Sequence, residues 1–228
     1  MATAPQLRDT VDFLSLLSES SRRRVTAGAK RQTFSAGLVT HHAGDPPPRV
    51  YLIEHGLMRV FWSDPDGRQA TVAYIGTRQL IGVMQVLGDM WHGGSAQAVV
   101  ESTVLRLDVA ALRRATAEER DVCSAVALHL ASVLNSAFRT IAVRSLGSVA
   151  QRLAYDLLDR ACIRQLQSGR LEASITHAEL ADSIGSSREV VSRALAEYRA
   201  AGIIQTSPRC IKVVKPLMLA QAVRQYLV

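Results

Sequence analysis

The stretch Ile175-Thr176-His177-Ala178-Glu179-Leu180-Ala181-Asp182-Ser183-Ile184-Gly185-Ser186-Ser187-Arg188-Glu189-Val190-Val191-Ser192-Arg193-Ala194-Leu195-Ala196-Glu197-Tyr198 decides how the chain is read. Thr176 is followed three residues on by Glu179, and Ser186 by Glu189. Both spacings are capping boxes, in which two side chains satisfy amide donors left free at a helix start. With Gly185 between them, the order predicts a helix of about two turns, a tight turn, and a second helix from about Ser187 to Ala201 stopped by Gly202. This is a helix-turn-helix. Val191, Ala194, Leu195 and Tyr198 fall at i, i+3, i+4 and i+7 and must face a core. Arg188, Glu189, Ser192 and Arg193 are then left on the outer face near the amino end. Two arginine forks there can each address the O6 and N7 acceptors of guanine, and Glu189 can accept from a cytosine amino group. Beyond Gly202, Ile203–Thr206 and Ile211–Val214 flank Ser207-Pro208-Arg209, which predicts a hairpin wing with Lys212 and Lys215 placed for phosphate contacts. A plainer reading makes Glu189 and Arg193 a surface ion pair worth a few tenths of a kcal/mol. Two helix starts, the central glycine and the wing together favour DNA reading.

Working outward, Val149 to about Gln167 reads as a helix with Leu153, Leu157 and Leu158 on one face, and Gly147 before it marks a hinge. From about Val109 to Ser145 the pattern is helical, and from Asp121 onward it holds neither Gly nor Pro. Val126, Leu130, Val133, Ala137, Thr140 and Arg144 recur there at alternating four and three, the spacing of a two-helix seam. Such a helix either folds back on its own domain or meets a second copy. A homodimer is expected, because the weakly polar Asn135 and Thr140 suit a register-setting seam. Between Arg31 and Asp108 come short β-prone runs, Val50–Ile53, Met58–Trp62, Ala70–Ile75 and Thr103–Leu107, separated by turns such as Ser63-Asp64-Pro65-Asp66-Gly67. Runs at this spacing predict a small barrel or sandwich. Residues 12–27 read as a short helix, with Arg22-Arg23-Arg24 on its solvated side. The fold class is therefore α+β: an amino-terminal β-roll over 1–120, a long dimerisation helix over 121–146 and a winged helix-turn-helix over 147–228.

Composition sets the outer bounds. The 228 residues carry 27 Lys plus Arg against 20 Asp plus Glu, a net charge of +7, with 16 basic against 13 acidic residues up to Arg144 and 11 against 7 beyond it. The carboxy-terminal part is the more basic per residue, as a polyanion-binding domain requires. Cys123, Cys162 and Cys210 form no CxxC pair, so neither a disulfide framework nor a zinc ribbon nor a sequential iron–sulfur site is suggested, and a reducing cytoplasm is expected. No signal peptide is expected, nor any apolar run near the roughly 18 residues of a membrane helix.

The run Ile-Thr-x-x-Glu-Leu-Ala-x-x-Ile-Gly-x-Ser-Arg-Glu-x-Val-x-Arg-x-Leu from Ile175 to Leu195 resembles the winged helix-turn-helix of the Crp/Fnr superfamily of bacterial transcription regulators. Ser35-Ala36-Gly37, Tyr51-Leu52-Ile53 with Gly56, Asp66-Gly67-Arg68, Leu80-Ile81-Gly82 and Leu105-Arg106-Leu107-Asp108 resemble landmarks of that family's cyclic-nucleotide-binding-type β-roll. Gly147–Leu158 resembles its hinge and first DNA-domain helix. The resemblance implies base reading by Arg188, Glu189 and Arg193 and backbone contacts by Thr176 and His177, with Ser187 and Ser192 beside them. His177 departs from the more basic residue usual at its position. A double-stranded DNA operator, a second copy of the chain and RNA polymerase are the implied partners.

Family members that bind cyclic AMP carry a Gly-Glu pair for the ribose and, about ten residues on, an Arg-Ser pair for the phosphate. Here Gly82 is followed by Val83, and the second pair reads Gly94-Ser95. Ala137 and Phe138 stand where such members have an adenine-contacting Thr-Ser pair. The effector positions are thus Gly82, Val83, His92, Gly94, Ser95 and Phe138, and cyclic AMP is not expected to bind, because neither a cation nor a ribose acceptor remains. An iron–sulfur sensor is excluded, since no cysteine precedes Cys123. A haem-sensing relative would use a roll histidine, with His41, His42, His55 and His92 as candidates. A cupin-type metal enzyme, suggested by His41-His42 and Glu54, fails on geometry: adjacent strand residues point to opposite faces. No catalytic constellation, cofactor site or metal site is identified, and an enzyme is not expected.

Overall fold

In the computed structural model, residues 11–43, 45, 49–66, 69–85 and 94–224 are described. The chain divides into two compact units, Met1–Asn135 and Ser136–Val228. The division falls inside the long helix rather than at 120 or 146.

In the first unit the strands are β1 (Lys30–Phe34), β2 (Val39–His41), β3 (Val50–His55), β4 (Leu57–Ser63), β5 (Gln69–Gly76), β6 (Leu80–Ile81), β7 (Ser95–Ala98) and β8 (Ser102–Leu107). They form two antiparallel four-stranded sheets of order β1-β8-β3-β6 and β2-β7-β4-β5. Strand β3 is buried on both faces, which explains its unbroken apolar run from Val50 to Ile53. Tyr51 and Ile53 enter a cluster with Met58, Ala73, Ile75, Ala96 and Val104 from both sheets. Val50 and Leu52 point the other way, into a cluster with Phe13, Val25, Leu107, Leu112, Val122 and Val126. The roll is therefore a two-sheet sandwich with helices over one outer face.

Those helices are α1 (Glu19–Thr26), α2 (Val109–Glu118) and the start of α3 (Arg120–Leu146). The predicted helix over 12–27 is broken: a 3-10 turn spans Phe13–Leu16, and Ser18 then caps α1 by accepting from the Ser21 amide. The predicted helix from Val109 is also two, parted at Glu119. Asp121 joins the pieces, accepting from the Ser18 amide at 2.8 Å and the Ser21 hydroxyl at 2.9 Å. These donors hold its carboxyl down at about 2.

By length and apolar content α3 would pass for a membrane span, contrary to the sequence expectation. Its composition has a different cause. Val122, Ala125 and Val126 are buried under the first sheet, Leu130 packs beside them and Val133 reaches the intersheet cluster. The predicted seam thus faces the chain's own roll at its amino-terminal end. Farther on, Thr140 is buried and back-bonds to the Ser136 carbonyl, Ala137 is half-buried, and Arg144 lies over the Tyr155 ring at 5.5 Å. The exposed apolar side chains lie one position later: Leu134, Phe138 and Ile141 are 55%, 59% and 62% exposed.

The second unit is built on α4 (Val149–Ser168), whose Leu153, Leu157 and Leu158 are fully buried. A capping box of Ser148 with Gln151, not foreseen from the sequence, starts it. Helices α5 (His177–Ile184) and α6 (Arg188–Ala200) pack on it, followed by the wing strands β10 (Ile204–Ser207) and β11 (Cys210–Val213). Two elements were not predicted. Strand β9 (Glu172–Ala173) pairs with β11 to make a three-stranded sheet, and α7 (Pro216–Arg224) buries Leu219, Ala220 and Val223.

Candidate nucleic-acid interface and effector positions

The capping box of Thr176 with Glu179 is formed as predicted and starts α5. Thr176 donors hold the Glu179 carboxyl below its usual range. Gly185 ends the helix in the left-handed region, at φ 60, which lets the chain turn into α6. The second predicted box is not formed. Ser187, not Ser186, caps α6 by accepting from the Val190 amide, and Glu189 is drawn instead to its own amide and the Ser187 side chain, which lower its pKa.

Helix α6 is fixed from below. Val191 and Leu195 are buried, and the Tyr198 hydroxyl donates to the Ala150 carbonyl at 2.9 Å, tying the helix to α4. Burial pushes the Tyr198 phenol up to about 12. Arg152 on α4 makes the corresponding tie to α5, donating to the Ile184 carbonyl at 2.9 Å. With that face occupied, Arg188, Glu189 and Arg193 all stand exposed at the amino end. Glu189 feels Arg188 but is not joined to Arg193, so among the described residues the surface ion pair is not made.

A cleft of about 440 Å³ opens beside them, lined by Thr176, His177, Arg188, Ser207, Pro208 and Arg209 among others. It gathers the start of α5, the start of α6 and the wing tip. His177 Nδ1 and Ser192 Oγ lie 2.9 Å apart, bridging the two helices. Arg209, at φ 56 on the wing turn, reaches Glu179 at 3.4 Å. This cation was passed over in the sequence as part of a turn, although a basic residue at a wing tip was a readable signal.

The two wing lysines separate. Lys212 is exposed on β11, opposite Gln205 and Glu172 on the neighbouring strands. Lys215 is exposed too, and its Nζ donates to the Ala201 carbonyl at 3.2 Å, at the far end of α6. Thirteen residues of helix, about 20 Å, separate that end from Arg188.

In the roll, Gly82 and Gly94 have φ 85 and 72, and a Cβ would meet the Arg49 carbonyl oxygen at 2.0 Å and the Phe61 carbonyl oxygen at 3.0 Å respectively. A side chain at either position is strained. Val83 is buried in the cluster beneath the helices, not in the intersheet interior. Ser95 is buried, and its hydroxyl accepts from the Ala43 amide at 3.1 Å. His92 lies outside the described residues, and Phe138 belongs to the second unit. Of the other histidines, His42 and His55 are exposed, while His41 is buried and its pKa lowered chiefly by desolvation. No group of three His, Cys, Asp or Glu residues that could hold a metal occurs among the described residues.

A two-sheet roll, a long helix and a winged helix-turn-helix define a DNA-binding transcription regulator. Residues 31–119 match the cyclic nucleotide-binding domain and residues 151–222 the Crp-like helix-turn-helix domain. The chain is 30% identical over 195 residues to the cyclic AMP receptor protein of Thermus thermophilus, covering 84% of this chain and 87% of that one. It is 26% identical over 194 residues to a CRP-like cAMP-activated global transcriptional regulator of Mycobacterium tuberculosis, with 84% and 87% covered. A solved Crp-family transcriptional regulator from Thermus thermophilus shares 26% identity at a TM-score of 0.52, with 86% and 98% covered. The chain belongs to the Crp/Fnr superfamily of transcription regulators.

Proposed function

We propose that the protein regulates transcription as a cytoplasmic homodimer without catalytic activity, reading a two-fold-related operator through Arg188, Glu189 and Arg193 and contacting RNA polymerase once bound. The observation that carries the reading is the exposed set of charges at the amino end of α6, above a helix face tied down by Val191, Leu195 and Tyr198. Backbone contacts come from Thr176, His177, Ser187, Ser192 and Lys212, joined by Arg209 in place of Lys215. Selection of bound duplexes from a random pool tests this: a recovered two-fold motif with G·C pairs, its half-sites about 34–36 Å apart, supports the reading, and no enrichment defeats it.

The dimer seam we assign to Ala131, Leu134, Phe138 and Ile141, three or four residues apart on α3, since a lone chain would leave these apolar groups in water. Leu134→Lys with Phe138→Lys should give monomers by light scattering, whereas a wild-type monomer would remove the assignment.

Cyclic AMP is not the effector in this reading. The phosphate has no arginine at Gly94, whose backbone favours glycine, and Val83 gives the ribose no acceptor. Hydrogen bonds to charged groups are worth about 1.5–3 kcal/mol each, so losing two costs on the order of a hundredfold in affinity or more. Because similar proteins carry cyclic AMP in their names, calorimetry with the nucleotide is the direct test, and micromolar binding would overturn this part.

A further inference from the structure

His177 departs from the strongly basic residue usual at its place, yet it is not idle. Its Nδ1 lies 2.9 Å from Ser192 Oγ, and both residues are half-buried where α5 meets α6. Neither ring nitrogen has another partner among the described residues. A serine hydroxyl both donates and accepts. In the neutral ring it donates to Nδ1, which fixes the tautomer that presents Nε2–H; when the ring takes a second proton, Nδ1–H donates to the same oxygen. The bridge therefore survives protonation. His177 also lines the cleft that holds Arg188 and Arg209.

We propose that His177, held by Ser192, is a proton-linked clamp for a DNA backbone phosphate, so that DNA binding takes up a proton at each half-site. This rests on the placement of the operator backbone over the α5–wing cleft. A phosphate against Nε2 favours the charged ring over the neutral one. The charged groups nearest the cleft are Arg188, Glu189 and Arg193 on α6, Arg209 on the wing and Glu179 on α5 itself; the same elements also carry Asp182, Glu197, Arg199 and Lys212. The arginines stay charged throughout, and Glu179 and Glu189 are both held below the usual carboxylate range, so none of them titrates near neutrality. His177 is the last of six histidines and the only one beyond His129. Histidine is the side chain whose ordinary charge change falls between about pH 5 and about pH 8, so a proton-linked change in DNA affinity that originates in the second unit near neutral pH is assigned to this ring. The sign follows: affinity is greatest with the ring charged and declines as pH rises.

The test is fluorescence anisotropy of the full-length protein on a random-sequence duplex, at constant ionic strength, between about pH 6 and about pH 8. The wild type should weaken about three- to tenfold across that range. His177→Arg should bind tightly and without pH dependence. His177→Ala and His177→Gln should be weak and flat, and the glutamine, which keeps a donor at the helix junction, guards against a folding artefact. Ser192→Ala should lose affinity at the high-pH end, where the tautomer matters, more than at the low. A wild-type slope retained in both His177→Gln and His177→Ala overturns the clamp while leaving DNA binding intact. A wild type that binds no duplex at any pH overturns the cleft placement itself.

Discussion

The two units handle their arginines in opposite ways. In the roll, Arg59 on β4 is fully buried, donating to Gln97 at 2.5 Å, Gln69 at 2.7 Å and Thr71 at 3.1 Å, and stacking over Phe61 at 4.3 Å. In the winged unit Arg188 and Arg193 stand in solvent on a helix whose opposite side is locked. The first guanidinium is consumed by the fold, and the second pair is left exposed by it. A buried cation cannot be judged functional from its charge alone; what matters is whether the chain already satisfies its donors.

The sharpest test of that contrast is Arg59→Ala. Leaving Gln97, Gln69 and Thr71 with unmet polar groups should destabilise the roll by about 3–5 kcal/mol in denaturant unfolding, with the DNA-contacting groups untouched. A stable variant with altered effector response would instead move Arg59 to the functional side.

A second buried polar group should show itself through pH. His129 on α3 is fully buried, its Nε2 sits 3.0 Å from the Leu80 carbonyl oxygen, Nδ1 has no partner among the described residues, and desolvation pushes its pKa down to about 4. The folded state prefers the neutral ring, so the unfolded chain binds more protons below its ordinary value of 6.5. Stability is intact at neutral pH and is lost as pH falls from about 6.5 towards 4, by up to about 3 kcal/mol. His129→Gln should flatten that dependence. Asp121 adds a loss only at lower pH, as its carboxyl protonates between its ordinary value and about 2.

On the exposed side, Arg188→Ala should cost about 1–3 kcal/mol of operator binding and relax the preference at one G·C pair per half-site, with folding stability unchanged. Equal loss on operator and random DNA would demote it to a phosphate contact. The smallest effects divide the wing cations. Arg209→Ala should weaken all duplexes alike and lower the salt slope by about one. Lys215→Ala should leave that slope alone and cost about 0.5–1.5 kcal/mol of stability, as loss of a helix-end hydrogen bond does.

Much of this was legible in the sequence, and the failures have physical reasons. The helix-turn-helix is written in local chemistry, so Thr176, Glu179 and Gly185 predicted their own geometry. Where two serines adjoin, the box spacing chose Ser186 as the cap, and the fold uses Ser187. Lys215 could not be placed because its partner, the Ala201 carbonyl, is brought near only by the folded wing. Strand β9 is two residues long and has no signal apart from its pairing with β11. For the seam the limit is related: α3 carries two apolar stripes of the same spacing, and periodicity measures a repeat without saying which neighbour it meets.

Those two stripes give α3 a phase as well as a pattern. One side, through Val126, Leu130 and Val133, keys the helix to its own sheets; the other, through Ala131, Leu134, Phe138 and Ile141, is offset by a single residue, about 100° of rotation. A lone alanine inserted after Val133 would leave the roll's packing intact and swing every later side chain by that angle, so Leu134 and Ile141 would turn away from the outer stripe. Deleting a residue would swing them the opposite way. Helix length counted in single residues is thus a dial for how the outer stripe is aimed, and seven residues, not one, is the step that returns it to its setting.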